Sequence, residues 1–62
     1  MNKFVIKTSA DGESFKVYLN GVQVGDADHD ENGWAGMEDV EYLVRAIAKE
    51  LDAVIEFEDE TE

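Results

Sequence analysis

The stretch Ser14-Phe15-Lys16-Val17-Tyr18-Leu19-Asn20-Gly21-Val22-Gln23-Val24 decides the fold. Phe15, Val17 and Leu19 alternate with Lys16 and Tyr18, the period-two pattern of a strand with one face buried. Asn20 and Gly21 tolerate positive φ, so they suit a tight hairpin loop. A loop of that length sets Leu19 opposite Val22 and Val17 opposite Val24, both pairs on the Phe15 face.

Upstream, residues 3–8 read as a first strand, with Phe4, Ile6 and Thr8 on one face and Lys3, Val5 and Lys7 on the other. Ala10-Asp11-Gly12 reads as the turn between the two strands. Downstream, Asp26-Ala27-Asp28-His29-Asp30-Glu31-Asn32-Gly33-Trp34-Ala35-Gly36 reads as an acidic loop. A helix is expected over 37–51, because Met37, Val40, Val44, Ile47 and Leu51 form one stripe with Leu43 and Ala48 at its margins. Residues 53–58 read as a last strand with Ala53, Ile55 and Phe57 facing that helix. The expected fold is α+β: a single helix packed on a four-stranded mixed β-sheet, in the order β-β-β-α-β. A right-handed crossover places the last strand beside the first, giving spatial order 3-2-1-4. Lys3 and Lys7 on the first strand then meet Glu56 and Glu58 on the last.

The chain has 62 residues, which is one domain (1–62), with residues 59–62 expected to fray. Hydrophobic residues make up 44%, as in a globular domain rather than a disordered tail. No cysteine is present, so neither disulfide nor thiol chemistry enters. No apolar run approaches the roughly 18 residues of a membrane span. The N-terminus is too short and too interrupted for a signal peptide, and an intracellular, cytoplasmic protein is expected.

Charge is the most informative feature. The formal net charge is −11. Residues 1–25 hold Lys3, Lys7 and Lys16 against Asp11 and Glu13, a sum of +1. Residues 26–62 hold 14 acids against Arg45 and Lys49, a sum of −12. Such a chain repels phosphate, so it is not expected to bind nucleic acid directly, nor an anionic membrane.

Asp28-His29-Asp30-Glu31-Asn32-Gly33 followed by Asp39 resembles the EF-hand calcium loop, through Asp28, Asp30, Asn32, Gly33 and Asp39. The resemblance implies Asp28, Asp30, Asn32 and Asp39 as calcium or magnesium ligands. It departs from the pattern in the strand before the loop, in the short Asp39 at the last ligand position, and in Ala35 at position eight. The opposing reading is a solvated acidic loop with no cofactor. His29, the single histidine, has no Cys or second His beside it and is expected as an exposed loop residue rather than a zinc ligand. Trp34, the single tryptophan, is expected to close one end of a core that needs large side chains; its alternative is an exposed anchor for a partner. No catalytic constellation is present: Thr8, Ser9, Ser14 and Thr61 have no base at a suggestive spacing, and no enzyme is expected.

What remains is binding. A rigid fold displaying carboxylates competes for the cationic grooves that proteins present to duplex DNA. In size, acidity, lack of cysteine and compact mixed fold, the chain resembles the small acidic DNA-mimic inhibitors made by bacteriophages, anti-CRISPR proteins among them. The resemblance is at the level of class, and no motif carries functional residues across. It implies a partner with a basic nucleic-acid-binding surface, such as a CRISPR effector subunit, blocked by a monomer or small homo-oligomer. The surface expected to dock comprises Asp26, Asp28, Asp30, Glu31, Trp34, Glu38, Asp39, Glu41, Glu56, Glu58 and Asp59. The alternatives are a calcium-binding domain using the 28–39 loop, halophilic adaptation, and a generic acidic domain docking on a basic partner unrelated to DNA. The near-neutral first 25 residues argue against halophily.

Overall fold

A computed structural model describes residues 1–60. Its elements are β1 (Lys3–Thr8), β2 (Ser14–Leu19), β3 (Val22–Asp28), α1 (His29–Glu50) and β4 (Val54–Asp59). The fold is α+β, one helix on a four-stranded mixed sheet of order β3-β2-β1-β4. β1 pairs antiparallel with β2 and parallel with β4.

The hairpin forms where expected. Asn20 and Gly21 take φ of 52° and 87°, and Leu19 pairs with Val22. The register then differs from the expected one: Val17 pairs with Gly25, not Val24, with a shift between Val17 and Tyr18. β3 carries an extra residue there, a bulge that the alternation of β2 alone does not announce. Beyond the bulge Ala27 lies opposite Phe15, and both are buried.

Phe4, Ile6, Phe15, Val17 and Ala27 form the sheet side of the core, against Met37, Val44 and Ala48 of α1. The helical seam is rotated from the expected stripe. Ala48 is buried, whereas Ile47 and Leu51 stay about 40% exposed (42% and 41%). A small side chain at 48 lets that face approach the sheet, and the bulkier Leu43 and Ile47 are left on the flank toward β3. On the opposite flank Phe57 faces the helix side but is 52% exposed, covered in part by the Arg45 guanidinium 5.4 Å from its ring.

The segment 26–36 is not a loop. β3 continues to Asp28, and α1 begins at His29, eight residues before the expected start. Asp28 caps it: its Oδ1 accepts from the Asp30 N–H at 2.8 Å, while its own N–H donates to Asn32 Oδ1 at 3.0 Å. The helix is interrupted at Gly33, whose φ of 71° and ψ of 169° suit glycine alone, and resumes toward Trp34. At the other end Asp52 takes φ 53°, and the Ala53 N–H donates to Ala48 O at 2.8 Å. Asp52 thus occupies the left-handed position that often closes a helix. At the chain's far end Asp59 pairs with Thr8 in the sheet, and the Glu60 N–H donates to Thr8 O at 2.7 Å. Residues 61–62 lie outside the described part of the chain.

Candidate functional site

Topology gathers acids from separate parts of the chain. β1 and β4 run parallel, so their C-terminal ends share one end of the sheet. The β1–β2 turn lies at that end, and so does the end of β3, because each runs antiparallel to its neighbour. α1 starts there too. The end therefore carries Asp11 and Glu13 from the turn, Asp28, Asp30 and Glu31 from the β3–α1 junction, Asp59 from the end of β4 and Glu60 just after it. All seven are exposed. No Lys or Arg occurs in residues 9–13, 28–31 or 59–60.

The segments are fastened to one another by backbone bonds. The His29 N–H donates to Glu13 O at 2.7 Å, tying the helix start to the turn. The Glu60 bond to Thr8 ties in β4. The turn is closed by side chains: Ser9 Oγ donates to Asp11 Oδ1 at 2.6 Å, and the Glu13 N–H donates to the same oxygen at 3.0 Å. The Ser9 hydroxyl first, and then the Glu13 amide, hold the Asp11 carboxyl below its ordinary value of 3.8. Asp11 therefore remains charged further into acid than a free aspartate.

The expected docking residues divide into groups. Asp28, Asp30, Glu31 and Asp59 join the acidic end. Asp28 is also the helix cap, so it serves the fold as well as the surface. Glu38 and Asp39 extend along the exposed side of α1, where Glu38 Oε1 accepts from the Tyr42 hydroxyl at 3.3 Å. Glu41 stands 3.6 Å from Arg45. Glu56 and Glu58 are on the sheet's open face in ion pairs with Lys3 at 3.0 Å and Lys7 at 3.9 Å, so that face is charge-balanced. Asp26 lies opposite Lys16 in the β2–β3 pair. Asp11 and Glu13 were not among the expected docking residues. The near-neutral sum over 1–25 hides Asp11 and Glu13, and only chain topology brings them to the other acids.

Trp34 is not a core residue. It is 59% exposed, with its ring centroid 4.0 Å from that of His29 and a shallow hollow at its side lined by Phe15, Met37, Glu38 and Glu41. Gly33 turns the chain just before it, so the indole lies outside rather than over the sheet. Trp34 and His29 form an aromatic shoulder beside the acidic end.

The EF-hand-like stretch does not wrap as a cation loop. Asp28 and Asn32 are engaged with backbone N–H groups of the cap, and Asp39 lies within the helix, beyond the Gly33 break. Among the described residues no group of three or more His, Asp or Glu side chains is arranged to hold a metal ion. Among the described residues, too, no helix is long and apolar enough to cross a membrane.

No protein-family model matches the chain, and neither a curated protein nor a solved structure shows significant similarity to it.

Proposed function

We propose that this protein is a non-catalytic inhibitor that docks its acidic end on the basic, nucleic-acid-binding surface of a partner protein and blocks that surface as a DNA mimic. The observation that carries this reading is the convergence of seven exposed carboxylates from the turn, the β3–α1 junction and β4 on one end of the sheet. Held on a hydrogen-bonded scaffold, they concentrate negative charge at one end of the sheet. Docking releases counterions from both surfaces, the same salt-dependent driving force that DNA uses. Trp34, beside the acidic end, supplies an exposed aromatic side chain of the type enriched at interface hot spots. A setting inside the cell, with a CRISPR effector or another host-defence nucleoprotein as target, fits the class-level resemblance to phage inhibitors.

The test is competition. The protein is immobilised, a partner is captured from host lysate at low salt, and labelled duplex DNA is titrated against the purified complex. The expected result is mutual displacement, with affinity falling steeply as salt rises. Reversal of Asp30, Glu31, Asp59 and Glu60 to Lys abolishes binding, while reversal of Lys3 and Lys7 has little effect. Simultaneous binding of DNA and protein at every salt concentration overturns the mimic reading.

A further inference from the structure

A second surface lies away from the acidic end. Between α1 and the outer strand β3 runs an apolar groove of about 320 Å³. Its floor is made by Leu19 and Val44, and its walls by Val24 on one side and Leu43 and Ile47 on the other. Val24, Leu43 and Ile47 are 56%, 60% and 42% exposed, so the walls project large apolar side chains into water.

The wall on the β3 side is also a sheet edge. β3 pairs only with β2 among the described strands, so one row of its N–H and C=O groups has no strand beside it. The opposite edge, β4, carries Glu56, Glu58 and Asp59, which discourage pairing with another chain. Residues 22–25 of β3 (Val22, Gln23, Val24, Gly25) carry no charge. The first half of the β3 edge, which borders the groove, is therefore uncharged; the bulge at Val24 and the acids Asp26 and Asp28 lie further along it.

The rim is acidic. Asp26 lines one end of the groove. Asp39 and Glu50 stand one helical turn from Leu43 and Ile47 respectively. None of the three has a cation within ion-pair distance among the described residues. A second copy of this chain suits such a rim poorly, because its own β3 brings Asp26 and Asp28 and no cation.

We infer that the α1–β3 groove is a docking site for an extended segment of another protein, apolar at alternate positions and flanked by Lys or Arg. The segment adds as a strand to the free edge of β3. Its apolar side chains fill the groove under Leu43 and Ile47, and its flanking cations meet Asp39 and Glu50. Backbone pairing supplies affinity, and the groove selects side chains. The inference goes beyond the acidic-end reading and does not rest on it.

The probe is a synthetic peptide of alternating valine and threonine between pairs of lysines, titrated into the 15N-labelled protein. The expected result is saturable amide shifts confined to residues 22–26 and 39–50. A peptide of the same charge with serine replacing valine binds roughly tenfold more weakly or worse, because it loses the buried apolar area. Leu43→Asp abolishes binding of the valine peptide while the amide spectrum elsewhere stays that of the folded protein. Equal binding of the valine and serine peptides overturns the inference, as do shifts centred on 11–13, 28–31 and 59–60. Absence of saturable shifts overturns it. So does sedimentation of the free protein as a dimer whose β3 amides move with concentration, which would give the groove to a second copy. The two peptides compared on the unaltered chain decide the matter even if Leu43→Asp fails to fold.

Discussion

Beyond the turns, Gly33 and Asp52 hold positive-φ backbone with opposite consequences for substitution. Gly33 sits at φ 71° and ψ 169°, a region costly for any side chain, in the middle of α1. Asp52 sits at φ 53° just past the helix end, where glycine would be free of the Cβ penalty. Gly33→Ala is therefore expected to destabilise the fold by about 1–3 kcal/mol. Asp52→Gly is expected to raise stability by a few tenths to about 1 kcal/mol, since it also removes a negative charge from the helix C-terminus. Urea unfolding monitored by Trp34 fluorescence reads both. Asp11 adds a pH effect whose sign is fixed by its lowered carboxyl. A folded-state value below the unfolded one gives stability that is present above 3.8 and is lost as pH falls through the folded value. Between pH 5 and pH 2, about the range in which aspartate titrates, the native chain should lose more stability than Asp11→Asn, whose side chain cannot protonate. Parallel acid titrations of the two proteins check this.

At the scale of elements, the helix lies on the sheet along a seam that periodicity places only approximately. Met37 and Val44 were legible as core from spacing alone. Ile47 and Ala48 were not, because neighbouring stripes on a 3.6-residue helix differ by a small rotation. Which stripe faces inward depends on the height of the opposing surface, and a methyl at 48 permits the closer approach. Val44→Ala should cost about 2 kcal/mol, from two buried carbons and the cavity they leave. Ile47→Ala removes more carbon from a partly solvated position and should cost about 1 kcal/mol or less. Thermal unfolding of the pair discriminates the observed seam from the expected one. The reverse ranking would place Ile47 inside. The early start of α1 has a similar cause. Glycine at 33 and 36 and a run of acids read as loop, yet Asp28 and Asn32 satisfy the N-terminal amides reciprocally. Asp28 reversal therefore perturbs the fold as well as the charge, and Asp30 and Glu31 are the cleaner positions for testing the surface.

The whole molecule combines a small core with a concentrated charge. Among the described residues, eight buried hydrophobic side chains form that core. A core of that size supplies only a few kcal/mol of net stability, and repulsion at a net charge of −11 subtracts from it. Added salt should stabilise the fold: Tm is expected to rise between about 0.01 M and 0.15 M salt, as the Debye length falls from roughly 30 to 8 Å. Calorimetry over that range checks it, and a falling Tm would mean that the Lys3–Glu56 and Lys7–Glu58 pairs outweigh the repulsion at the acidic end.

By itself the sequence determined the element order, the Asn20-Gly21 hairpin, the place of β4 beside β1, and the Lys–Glu pairs across them. These follow from local rules: alternation, turn chemistry and the handedness of a crossover act over a few residues or over chain direction. It also marked the chain as acidic and assigned most of the charge to 26–62. Only the tertiary structure decided which acids stand together. Asp11 and Glu13 join Asp28, Asp30, Glu31, Asp59 and Glu60 because parallel and antiparallel pairing fold three distant segments to one end, and no local pattern records that. The bulge in β3, the rotation of α1 onto Ala48, and the exposure of Trp34 have the same origin. Each is set by how two surfaces fit once they meet, a property of neither surface alone.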